Sequence, residues 1–227
     1  MTDFEKSFPS LYLFIIWHHA GKYEDAIKQD IRSRFDVFKT YSIDGPECHF
    51  AQNMARFYGK TLLAAKKKQK ETGTGDFKVV LVYDNKPNMI NGKNERIVSA
   101  KNEYRKKCHA NVVHASDNPA ETNENLLLLF GKTIEEITKE NAGDTVVLYN
   151  HNLIGYPCWK NKEEALEIAN KIPHTKIQQD KNTVHIFSLS PFLIKRILNA
   201  HKGWWPFGCK YFINIQNKKY PLYISRK

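Results

Sequence analysis

Seven consecutive apolar residues, LYLFIIW at 11–17, restrict what this chain can fold into more than any other feature. A half-exposed strand alternates apolar and polar side chains, whereas an unbroken run implies a strand covered on both faces. The run is too short to cross a bilayer. Acidic Asp3 and Glu5 precede it and no small-residue cleavage site follows, which is the wrong setting for a signal peptide. The run is therefore predicted as a central strand.

Residues 22–35 place Ala26, Ile27, Ile31 and Phe35 at helical spacing with charges opposite, and 36–43 alternate as a second strand. Gly45-Pro46 breaks the chain. A helix is predicted over 47–58, with Phe50, Met54 and Phe57 on one side, and another over 62–70 ending in Lys66, Lys67, Lys68 and Lys70. FKVVLVY at 77–83 is a third strand, polar 84–96 reads mostly as loop, and 110–115 as a short fourth strand. Ser116 or Asp117 can cap a helix running from Pro119 to Phe130. The order strand, helix, strand, helix, helix, strand, loop, strand, helix predicts an α/β sandwich, with helices on a mainly antiparallel sheet.

A smaller α+β unit is expected over 142–227, after a first domain at 1–141. Its predicted parts are a strand at 144–149, a helix at 160–172, strands at 174–178 and 183–188, and a helix from Ser190-Pro191 to Asn199. A closing hairpin is expected at 210–215 and 219–224, turning at Gln216-Asn217, with Pro221 placing the last strand at an edge.

Composition narrows the partners. The 35 Lys and Arg against 24 Asp and Glu give a formal charge of +11, which attracts nucleotides, nucleic acid or other polyanions. Cys48, Cys108, Cys158 and Cys209 form no C-x-x-C pair, so reduced thiols in a cytoplasmic protein are expected rather than a metal or disulfide framework. No Walker-A loop, G-x-G-x-x-G, G-x-S-x-G or zinc spacing occurs. The lysine run at 66–70 reads as a solvated helix end, or otherwise as a nucleic-acid or membrane contact. Trp204-Trp205-Pro206-Phe207 reads as packing between the two units or as a stacking surface.

The segment that carries chemistry is Asn111-Val-Val-His114-Ala-Ser116-Asp117. It sets an imidazole at the end of a strand, before a helix cap, on a rigid backbone. A neutral imidazole is a competent nucleophile near pH 7 and can hold a phosphoryl group. It then needs a partner for its other ring nitrogen and cations for the phosphates.

This segment, N-V-V-H-A-S-D, resembles the N-x-x-H-G-S-D active-site pattern of nucleoside diphosphate kinases, continuing at matching spacing to Leu129-Phe130. The order of elements over roughly the first 60% of the chain is similar too. The resemblance implies a ferredoxin-like domain and transfer of phosphate from a nucleoside triphosphate through phospho-His114, with Mg2+ carried on the nucleotide phosphates. It implies that Asn111, Lys101, Arg96 and His18 hold phosphates, that Tyr58 lies along the base, and that Ser116 with a helix carboxylate orients the imidazole. The departures are His18 in place of a lysine, Lys101 in place of an arginine, Ala115 in place of a glycine, and Asn125 where the family has its orienting glutamate. The phosphate acceptor stays open. So do two other classes, a degenerate binder of nucleotides or phosphorylated ligands and a basic nucleic-acid-binding module, and so does assembly into a homo-oligomer.

Overall fold

The computed structural model describes residues 10–44, 50–59, 61–148, 159, 161–179, 184–202, 211–215 and 218–226. The apolar run becomes β1 (Leu11–Ile16), every residue of which is buried. A 3-10 turn over His18–Tyr23 leads to α1 (Glu24–Arg34), which buries Ile27 and Ile31 but leaves Ala26 exposed. Next come β2 (Asp36–Asp44), α2 (Phe50–Tyr58), α3 (Leu62–Thr72) and β3 (Phe77–Tyr83).

The stretch 84–96, expected as loop, contains a small hairpin of β4 (Met89–Ile90) and β5 (Lys93–Asn94). Its turn uses Asn91 and Gly92, both at positive φ (51° and 74°), as a tight hairpin requires. Where no helix was predicted, α4 (Glu95–Cys108) follows at once. Asn94 caps it by accepting the Arg96 N–H, and only Ile97, Ala100 and Tyr104 are buried, a stripe too narrow to stand out among the charges.

The motif strand is β6 (Val113–Ala115), and α5 (Pro119–Phe130) follows. Its cap is Asn118, which accepts the Glu121 N–H, and not Ser116 or Asp117. Ser116 is drawn inward and Asp117 is held by lysines, so neither side chain is available. A short α6 (Ile134–Thr138) with a Thr133–Glu136 capping box then leads to β7 (Gly143–Leu148).

The first sheet has the order β6-β1-β3-β2-β7. β1 pairs antiparallel with β3 and β6, and β2 antiparallel with β3. Four strands with helical crossings in this order make the domain ferredoxin-like within a mixed α/β fold. The strand at 143–148, expected to open the second unit, instead extends this sheet parallel to β2.

Side-chain alternation in β1 separates two cores. Tyr12, Phe14 and Ile16 pack with α1 and α4, while Leu11, Leu13, Ile15 and Trp17 face α2, α5 and the C-terminal part.

That part contains α7 (Lys162–Asn170), β8 (Lys176–Gln179), β9 (Val184–Ser188), α8 (Pro191–Leu198), β10 (His201–Lys202), β11 (Tyr211–Ile215) and β12 (Lys218–Arg226). Its sheet has the order β10-β11-β12-β9-β8. β12 is thus interior, not the edge strand predicted from Pro221. Pairing with β9 begins only at Leu222, so the proline precedes that ladder and interrupts none of its bonds. One apolar core runs from Phe57 and Leu126–Leu129 through Leu193, Ile194 and Ile197 to Val184, Ile213 and Leu222. The expected turn at Gln216-Asn217, the Trp204–Phe207 patch and Cys48, Cys158 and Cys209 lie outside the described residues. Cys108 is a free, half-buried thiol. No helix among the described residues is long and apolar enough to cross a membrane.

Candidate functional site at His114

β6 is an edge strand, and its three residues divide between the two faces of the sheet. His114 lies opposite Ile15 of β1 and turns its ring to the α2–α5 side, while Val113 and Ala115 enter the core beneath α1 and α4. Phe57 and Tyr58, the last residues of α2, meet the imidazole edge-on at centroid distances of 5.4 and 5.6 Å. From α5, the Asn125 amide nitrogen lies 3.1 Å from Nε2, and Glu121 Oε1 lies 4.0 Å from the same nitrogen. His114 is only 9% exposed.

Burial, followed by the charges of Lys101 and Arg105, pushes its pKa down to about 3. The imidazole is therefore neutral at pH 7. Burial raises the Glu121 carboxyl and the Tyr58 phenol in turn.

Which ring nitrogen keeps its lone pair depends on the amide. With the Asn125 NH2 group donating to Nε2, the ring proton sits on Nδ1. With the amide turned over, its oxygen accepts from Nε2–H and Nδ1 is left as the nucleophile. A carboxylate at this position would allow only the second arrangement. Asparagine permits both.

Three cations reach the strand edge. Arg105 Nε donates to Val113 O at 2.8 Å, and Lys101 Nζ to Ala115 O at 3.3 Å and to Asp117 at 2.5 Å. These bonds satisfy carbonyls that an edge strand leaves open. Lys68 of α3 donates to Asn111 O and pairs with Glu71, and its Nζ lies 6.0 Å from the centre of the Tyr58 ring. Glu71 in turn accepts the backbone and side-chain N–H groups of Asn111 at 2.9 and 2.8 Å.

Of the residues predicted from the sequence, His114 and Tyr58 meet directly, and Lys101 and Asn111 lie on the same edge. Ser116 does not orient the ring. Its Oγ accepts the Leu13 N–H at 3.1 Å and bonds Thr122 Oγ1 at 2.7 Å inside the protein. Arg96 lies on the opposite face, paired with buried Asp84 and stacked 5.4 Å from the Phe35 ring centre. The hairpin between β3 and α4 sends it there. His18 packs on the Gly73–Gly75 loop, so closely that a Cβ on Gly75 would lie 2.5 Å from its ring. The role of Glu71 was missed in the sequence; its spacing from Lys68, i to i+3, was the available signal. Among the described residues no cluster of three or more His, Cys, Asp or Glu side chains could hold a metal ion.

Among solved structures, the chain is similar to the nucleoside diphosphate kinase of Aquifex aeolicus in an orthorhombic crystal form. Identity is 13% and the TM-score 0.35, over 52% of this chain and 92% of that one. No protein-family model matches the chain, and no curated protein matches it.

Proposed function

We propose that this chain is a phosphotransferase in which His114 accepts a phosphoryl group from a nucleoside triphosphate and passes it to a second acceptor. The observation that carries this reading is the neutral imidazole fixed through Nε2 by Asn125, on a strand edge bordered by Lys101, Arg105 and Lys68. Burial keeps the ring unprotonated, and so nucleophilic, across the physiological range. With the Asn125 amide turned so that its oxygen accepts from Nε2–H, the Nδ1 lone pair attacks the γ-phosphorus, an N–P bond forms, and the bond from that phosphorus to the β,γ-bridging oxygen breaks, releasing the diphosphate. An acceptor oxygen then takes the phosphoryl group and frees the ring.

In this reading Lys101 and Arg105 face the transferred phosphate, Asn111 borders it, and Tyr58 lies along the base. Arg96 and His18 have no part. Magnesium fits only as the counter-ion of the triphosphate, because Asp117, a carboxylate at this edge, is already paired with Lys101 and Lys93. No protein ligand is assigned to it.

A second reading, nucleotide or phosphate-ligand binding without turnover, is favoured by the same pairing. Lys68, Lys101 and Arg105 each already serve an acid or a backbone carbonyl, and less of their charge is free for a transition state. Exchange of label between ADP and ATP separates the two, because it needs the half-reaction alone and no knowledge of the acceptor. Transfer predicts exchange in wild type that is lost in His114→Ala. Saturable ATP binding without exchange would overturn transfer in favour of binding.

A further inference from the structure

We propose that the outward face of the second sheet binds single-stranded nucleic acid. Strand alternation sets this face apart from the core. Ile186, Ile213 and Leu222 turn inward, while their neighbours turn out. Those neighbours are aromatic and stacked. His185 on β9 and Tyr223 on β12 are cross-strand partners with ring centroids 4.5 Å apart and planes only 8° from parallel. Phe187 continues the column at 6.5 Å and 14°. A second stack, His201 with Phe212, stands nearby at 5.5 Å and 30°. All five rings are half-exposed.

Among the described residues of the second sheet's strands, every Asp, Glu, Lys or Arg position is a lysine or arginine. Lys219 lies 4.8 Å over the Phe212 ring, and exposed Lys176 pairs opposite Phe187. No Asp or Glu occurs anywhere after Asp180, although lysines and arginines continue to the last residue. Aromatic faces interleaved with cations and free of acids match a strand whose bases are unpaired: the bases stack on the rings and the phosphates meet the lysines. Duplex DNA buries its base faces, and a sheet face offers no helix to enter its groove. The surface belongs to elements other than those that carry His114, so it stands or falls independently of phosphoryl transfer.

The test is fluorescence anisotropy of the full-length chain with labelled oligouridine, oligothymidine and a duplex of equal length. At least one single strand should bind about tenfold or more tightly than the duplex. The one preferred identifies RNA or DNA as the source. Tyr223→Leu combined with Phe212→Leu keeps apolar bulk but removes the ring faces, and should weaken binding about tenfold at an unchanged melting temperature. Lys176→Ala with Lys219→Ala should flatten the dependence of log affinity on log salt. His114→Ala should bind as wild type does. Equal affinity for the duplex, or full affinity in a well-folded ring variant, would overturn the proposal.

Discussion

His114 stays neutral because protonation would place a cation in a nearly closed site that already feels Lys101, Arg105 and Lys68. The consequence for stability has a definite sign. In the unfolded chain the ring takes up a proton near its ordinary value of about 6.5. In the fold it does so only at about 3. Between those values the unfolded state binds more protons, so stability falls as pH drops through 6.5, by up to about 1.4 kcal/mol per pH unit for a single site. Burial raises Glu121 and Glu124, whose protonation acts in the opposite sense at lower pH. Urea midpoints measured from pH 7 to 4.5 for wild type and His114→Gln isolate the imidazole, and the variant should show the shallower decline.

At the scale of elements, α4 decides the shape of the site. It lies on the far side of the sheet, yet Lys101 and Arg105 reach around the edge strand to the carbonyls of Ala115 and Val113. Its buried anchorage is three side chains, Ile97, Ala100 and Tyr104. Ile97 is fully buried, and Ile97→Ala should cost about 2–4 kcal/mol in chemical denaturation. This helix was also the least legible part of the sequence, because three buried positions in fourteen do not make a conspicuous apolar face. β1 and β3 were legible from their unbroken apolar runs, and β6 from its place before a helix start. Pro221 misled because a proline rule concerns hydrogen bonds at one residue, and β12 acquires its second neighbour only one residue later. In the site, the sequence led to His114, Tyr58 and the Asn125 position. It could not tell that Ser116 turns inward or that Arg96 goes to the other face, since both depend on how loops return.

Across the whole molecule, the two sheets share a core and are latched at the site itself. Arg196 of α8 donates from Nε to Arg56 O at 2.9 Å and from Nη2 to Phe57 O, while Arg56 Nε donates back to Arg196 O at 2.7 Å. Arg56 further reaches Leu128 O on α5 at 3.2 Å. The latch holds the end of α2, where Phe57 and Tyr58 contact the imidazole. Arg196→Ala removes the bonds to Arg56 O and Phe57 O, of which only Arg56 O keeps a backbone donor in Gly59, and should destabilise by about 1–3 kcal/mol, seen as a lower melting temperature. It should also loosen the site, seen as a higher His114 pKa by NMR. The measurement that bears most directly on phosphoryl transfer is incubation of the full chain with magnesium and γ-labelled ATP, followed by acid and alkali treatment of the protein. Covalent label that is lost in acid, survives alkali and is absent from His114→Ala is the predicted result. A wild-type chain that takes up no label, or a His114→Ala chain labelled equally, would contradict it.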